Sequence, residues 1–134
     1  MNATNTSQKR LSVYWLSTGL LTLGMFSGGV AQVLRAKWNV EGIVHLGYPL
    51  YFMTIIGTWK ILGVIALLVP GFGLVKEWAY AGFFFAMTGA IVSHLASGDR
   101  ITQVVAQSIF VVLIVVSWRL RPANRKLAVQ PTTY

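Results

Sequence analysis

Lys60 sits near the middle of YFMTIIGTWKILGVIALLVP, a run from Tyr51 to Pro70 that holds no other charge. A charge in so apolar a segment is expensive, and such residues pair, line a path or hold a ligand. Three roles are open to it. Its four-carbon stem lets the ammonium snorkel toward an interface. Glu77, at the start of the next apolar run, offers a counter-charge. The third role is direct function, with Lys60 lining an enclosed pocket. Pairing with Glu77 makes Lys60 structural first; a Glu77 that points to water, with Lys60 lining an enclosed pocket, favours the functional role.

A second set of polar residues gathers at the opposite ends of the apolar runs: Gln32, Glu41, His45, His94, Asp99, Gln103 and Gln107. Gln103 and Gln107 lie four apart, hence on one side of a helix. His94 also extends a small-residue stripe, so it belongs with Lys60 and Glu77 among the interior candidates. Two imidazoles and two carboxylates can relay protons or bind a metal. They come from separate segments without a metal-site spacing, so no metal is assigned; a hydrogen-bonded polar cap is the plainer reading. With no cysteine, the chain has no disulfide, thiolate site or dithiol redox centre of its own. GTWKILG has no Ser or Thr after its lysine and is not a phosphate loop. The sequence assigns no cofactor and no catalytic residue.

The elements that position these residues follow from composition. Hydrophobic residues make up 55% and charged residues 10% of the 134, against about 25% charged in soluble domains. With a mean hydropathy of +0.64, the chain is an integral membrane protein. Runs of about 20 apolar residues span a bilayer, and four are present: 11–34, 48–69, 78–96 and 101–118. Spans in lipid are helical because the backbone has no other partner there. Short connections predict an all-α, four-helix up-down bundle over 11–122, with flexible tails at 1–10 and 123–134. The basic start at Lys9 and Arg10 invites a signal-peptide reading, but the apolar run that follows is long for one. Small residues four apart, Gly24 and Gly28 in the first span and Gly82, Ala86 and Ala90 in the third, predict stripes facing the bundle interior, as do Gly57 and Gly63 beside Lys60.

Lys and Arg flanks set orientation. Seven (Lys9, Arg10, Lys76, Arg119, Arg121, Arg125 and Lys126) fall on one side and three (Arg35, Lys37 and Arg100) on the other. Both termini are therefore expected in the cytoplasm. The net charge of +8 is read as contact with lipid headgroups rather than nucleic acid.

Three stretches together, LGYPLYFMTIIGTWKILGVIALLVP (46–70), KEWAYAGFFFAMTGAIVSHLASGD (76–99) and VVSWRLRP (115–122), resemble the DoxX-like family of small four-span bacterial membrane proteins. The likeness runs from Leu11 to Pro122 and includes Lys60, Glu77, His94 and Asp99. Gln32 lies in the region where many members carry a lysine. The resemblance implies a place in the bacterial inner membrane. The family takes its name from a subunit linked to a thiosulfate:quinone oxidoreductase. The expected role is an accessory or binding subunit for a lipid-soluble ligand such as quinone, or for a membrane redox partner. The alternatives are a small transporter or channel, which at this length needs a homo-oligomer, and a cofactor-dependent membrane oxidoreductase.

Overall fold

The structure, a computed structural model, describes residues 2–128. It is all-helical: α1 (Asn2–Val33), α2 (Lys37–His45), α3 (Leu50–Leu68), α4 (Gly73–Ala96) and α5 (Val105–Leu120), with 3-10 turns at Ile101–Val104 and Ala123–Arg125. Four segments are long and apolar enough to cross a membrane: Ala3–Val33, Leu50–Leu68, Gly73–Ala96 and Ile101–Leu120. α1 packs against α3 and α5, and α4 packs against the same two, so the four long helices close into a square, antiparallel in sequence order. The core holds Leu21, Met25, Val64, Leu67, Tyr80, Phe83, Met87 and Ile114.

Glycine sets how closely α1 and α3 approach. A Cβ on Gly57 would lie 2.7 Å from the Gly29 carbonyl oxygen, and one on Gly29 would lie 2.9 Å from that of Gly57. Gly24 makes room for the Phe110 ring and Gly63 for the Phe83 ring. The expected stripes are thus met at Gly24, Gly57 and Gly63. Gly29, rather than Gly28, makes the close approach, and Gly82 is exposed with open space beside it. Helix contacts in lipid depend on this kind of small-residue packing.

Three boundaries differ from the sequence expectation. Residues 2–10, expected as a tail, continue α1. The short helix α2 was not anticipated in the connection between the first two spans. At the other terminus, residues 123–128 are docked rather than loose: Arg125 Nη1 donates to the Leu67 carbonyl at 2.8 Å and its guanidinium lies 4.9 Å from the centre of the Trp15 ring. The rest of that tail, 129–134, lies outside the described residues.

These cations answer a local need. α3 stops before Pro70, and the last carbonyls of a helix have no partner within it. Arg125 takes the Leu67 carbonyl, while the fully buried Lys76 donates to the Ala66 and Val69 carbonyls. Positive charge at a helix C-terminus also opposes the helix dipole.

Candidate functional site

Lys60 lies roughly halfway along the 19 residues of α3, half-buried. It lines a groove of ≈ 370 Å³ between α3 and α4. The groove exists because the facing residues are small: Gly63 and Ala66 on α3, Ala79, Gly82 and Ala86 on α4. Trp59 and Trp78, both two-thirds exposed, flank it, and the Phe83 ring closes its inner side. Lys60 makes no hydrogen bond or ion pair among the described residues.

Glu77 is not its partner. The groove-facing side of α4 carries Val75, Trp78, Ala79, Gly82 and Ala86, whereas Glu77 shares the α5-facing side with Tyr80, Ala81 and Phe84. There Glu77 Oε1 pairs with Arg121 Nη2 at 2.7 Å, and Oε2 accepts from Trp118 Nε1 at 2.8 Å. Arg121 is buried; its Nε donates to the Trp118 carbonyl and its guanidinium lies 5.0 Å from the centre of the Tyr80 ring. Beneath this pair, Tyr80 and Thr18 both hydrogen-bond Ser117, at 2.7 and 2.6 Å, inside the bundle. Of the roles open to Lys60, pairing with Glu77 is not the one adopted: Glu77 pairs with Arg121 because it leaves α4 on the face toward α5, away from the groove that Lys60 lines from α3.

At the opposite end Asp99 joins two histidines. Its Oδ2 accepts from His94 Nδ1 and its Oδ1 from His45 Nε2, both at 2.7 Å. The local sequence builds this contact. Gly98, at φ +75, gives α4 a left-handed cap in which Gly98 N–H meets the Leu95 carbonyl and Asp99 N–H the His94 carbonyl. Such a Schellman turn folds the following residue back on the last helical turn. Gly47, at φ +80, ends α2 in the same way, just after His45. With Asp99 ionised, each imidazole donates an N–H to the carboxylate, through His45 Nε2 and His94 Nδ1. The two hydrogen bonds, His94 first and then His45, hold the Asp99 carboxyl below the usual carboxylate range. Nearby, Tyr48 hydrogen-bonds Ser93 at 2.7 Å.

The other polar candidates do not join this cluster. Glu41 and Gln103 are exposed. Gln32 is buried in the bundle, its Cβ close to Gly57, and among the described residues both its Oε1 and that of the half-buried Gln107 lack a partner. His94, expected both on an interior stripe and at this end, does join the cluster: it lies in the last turn of α4, largely buried, and is engaged by Asp99. The structural cations Lys76, Arg121 and Arg125 were counted in sequence only as topology signals. The pull of uncapped carbonyls before Pro70 is the one signal that points to two of them.

The fold and its sites define a four-span integral membrane protein with one charge set in a lipid-level groove. The chain belongs to the DoxX-like family, whose model matches residues 16–117. It is also similar to the uncharacterised protein YdgD of Bacillus subtilis (strain 168), with 34% identity over 79 residues that cover 56% of this chain and 67% of that protein. No solved structure matches it.

Proposed function

We propose that the chain is a membrane-embedded binding subunit that holds a lipid-soluble, quinone-like molecule in the α3–α4 groove. The observation that carries this reading is Lys60: an ammonium without a partner, lining an otherwise apolar hollow. A ligand with a carbonyl or other acceptor head supplies the missing hydrogen bond, and its apolar body lies between Trp59 and Trp78. Pockets of this kind, mostly apolar with one well-placed polar group, are the usual form of small-molecule sites. The reading includes placement in the bacterial inner membrane with both termini cytoplasmic, supported by the seven-to-three division of basic flanks. It also includes delivery of the bound molecule to a redox partner in the membrane.

Quenching of tryptophan fluorescence by a short-chain quinone, titrated into the protein in detergent micelles, tests the site. Hydrogen bonds to a charged group contribute about 1.5–3 kcal/mol, so Lys60→Met is expected to weaken saturable quenching by about 10-fold or more. Gly82→Leu extends a side chain into the hollow from a position where an added Cβ meets nothing within 4 Å, and is expected to abolish it. Unsaturable quenching of the wild type, or full binding by both variants, refutes the reading.

A further inference from the structure

A second hollow lies at the end of the bundle that carries the termini. α5 stops at Leu120, and Pro122 prevents its continuation. The chain then turns toward α3, where Arg125 caps its carbonyls. α1 runs on past this point to Asn2. The space left between its first turns and the end of α5 is a cleft of ≈ 800 Å³. Ala3, Thr6, Ser7, Arg10 and Leu11 face it from α1, the i, i+3, i+4, i+7, i+8 positions of one helix face. Leu120, Arg121 and Pro122 close the other side.

The cleft is graded in polarity. Thr6 and Ser7 lie toward the terminus, Leu11 and Leu120 toward the membrane-spanning part, and Arg10 lies between them. Its charge is also unanswered. Of the seven cations at this end, Lys76 and Arg125 are taken up by carbonyls and Arg121 by Glu77, the one acid there. Arg10 has no ion pair among the described residues. The buried Arg121, on the other wall, is held by Glu77 and the Trp118 carbonyl and adds positive charge beneath the cleft rather than an accessible donor. Arg10 is thus an accessible donor for a phosphate oxygen placed where a lipid headgroup meets its acyl chains. Arginine is suited to that task because its donors match the phosphate.

We propose that the cleft binds the phosphate of an anionic phospholipid, with Arg10 as its main contact and the acyl chains leaving over Leu11 and Leu120. Inorganic phosphate has the same oxygens but nothing to place on the two leucines, so the lipid is the occupant.

The test uses the full chain in detergent micelles. Retained lipid is measured by native mass spectrometry after titration with phosphatidylglycerol or phosphatidylcholine, with inorganic phosphate as a third arm. The matched variants are Arg10→Gln and Lys9→Gln, which lose the same charge one residue apart, on and off the cleft face. Wild type is expected to retain phosphatidylglycerol at about one-tenth of the concentration needed for phosphatidylcholine. Arg10→Gln removes most of that preference and Lys9→Gln leaves it within about 2-fold, since a charge merely near the surface acts without geometry. Equal losses in the two variants, or no preference in the wild type, overturn the site in favour of general attraction. Displacement of phosphatidylglycerol by millimolar inorganic phosphate overturns the lipid as occupant.

Discussion

A methyl group at residue 57 tests the contact between α1 and α3. The added Cβ would lie 2.7 Å from the Gly29 carbonyl oxygen and 3.0 Å from both Gln32 Cβ and Val33 Cγ2. One of these atoms is backbone and the other two are held close to it, so none can swing aside. Ordinary contact begins at 3.4 Å, so the helices must part locally by about 0.7 Å, a gap that forfeits a quarter to a half of the dispersion at the contact. Overpacking of this kind costs about 1–3 kcal/mol. Alanine also returns up to about 1 kcal/mol of helix propensity, which complicates a single variant. Gly19 removes that complication: it lies in α1, and a Cβ there meets nothing within 4 Å. The difference between Gly57→Ala and Gly19→Ala therefore isolates the packing cost. Gly57→Ala is expected to be less stable than Gly19→Ala by about 1–3 kcal/mol. Titration of SDS into mixed micelles, followed by far-UV circular dichroism, measures it. Equal stability of the two variants refutes the close approach of α1 and α3.

The same assay checks three further expectations. Glu77→Gln leaves the buried Arg121 without its counter-charge and is expected to cost about 1–3 kcal/mol, below the range for a fully buried pair because Glu77 is partly exposed; a neutral outcome shows that the pair is solvated. Lys76→Met strands the Ala66 and Val69 carbonyls and is expected to cost about 1–3 kcal/mol, with unchanged stability ruling out the cationic cap. For Asp99 the sign follows from its depressed pKa. Its contribution is present above the unfolded value of about 3.9 and is lost as pH falls through the lower folded value. Wild type should thus exceed Asp99→Asn in stability near neutral pH, and the gap should shrink below about pH 4; a gap independent of pH argues against the His45–Asp99–His94 contact.

Apolar runs and their breaks made the four spans readable, because lipid leaves helix as the only option for such segments. α2 was not readable for the opposite reason. KWNVEGIVH is nine residues long, with charges in it and a glycine within, and so short a helix holds only through its packing. The meeting of His45, His94 and Asp99 at one end was legible from topology. Their actual bonding depended on two glycine caps whose φ angles no periodicity reveals. The partner of Glu77 was hidden by a similar limit. Arg121 lies far from Glu77 along the chain, and only the rotation of each side chain about its helix decides between it and Lys60.

The supply of acids explains why Lys60 is left over. The chain has three: Glu41, Glu77 and Asp99. Glu77 is held by Arg121 and Trp118, and Asp99 by two histidines at the far end. Glu41 is exposed on α2, beyond the start of α3, whereas Lys60 lies ten residues into that helix, about 15 Å along it. Backbone carbonyls around Lys60 are already used by the helix ladder, unlike those before Pro70 that Lys76 and Arg125 satisfy. Among the described residues, nothing is therefore placed to accept from the Lys60 ammonium. A lysine with only a structural task at this depth would be expected to pair or to reach an interface, as Lys76 does with its carbonyls. Lys60 has no such partner among the described residues, and the small residues beside it keep open the space in which an outside acceptor fits.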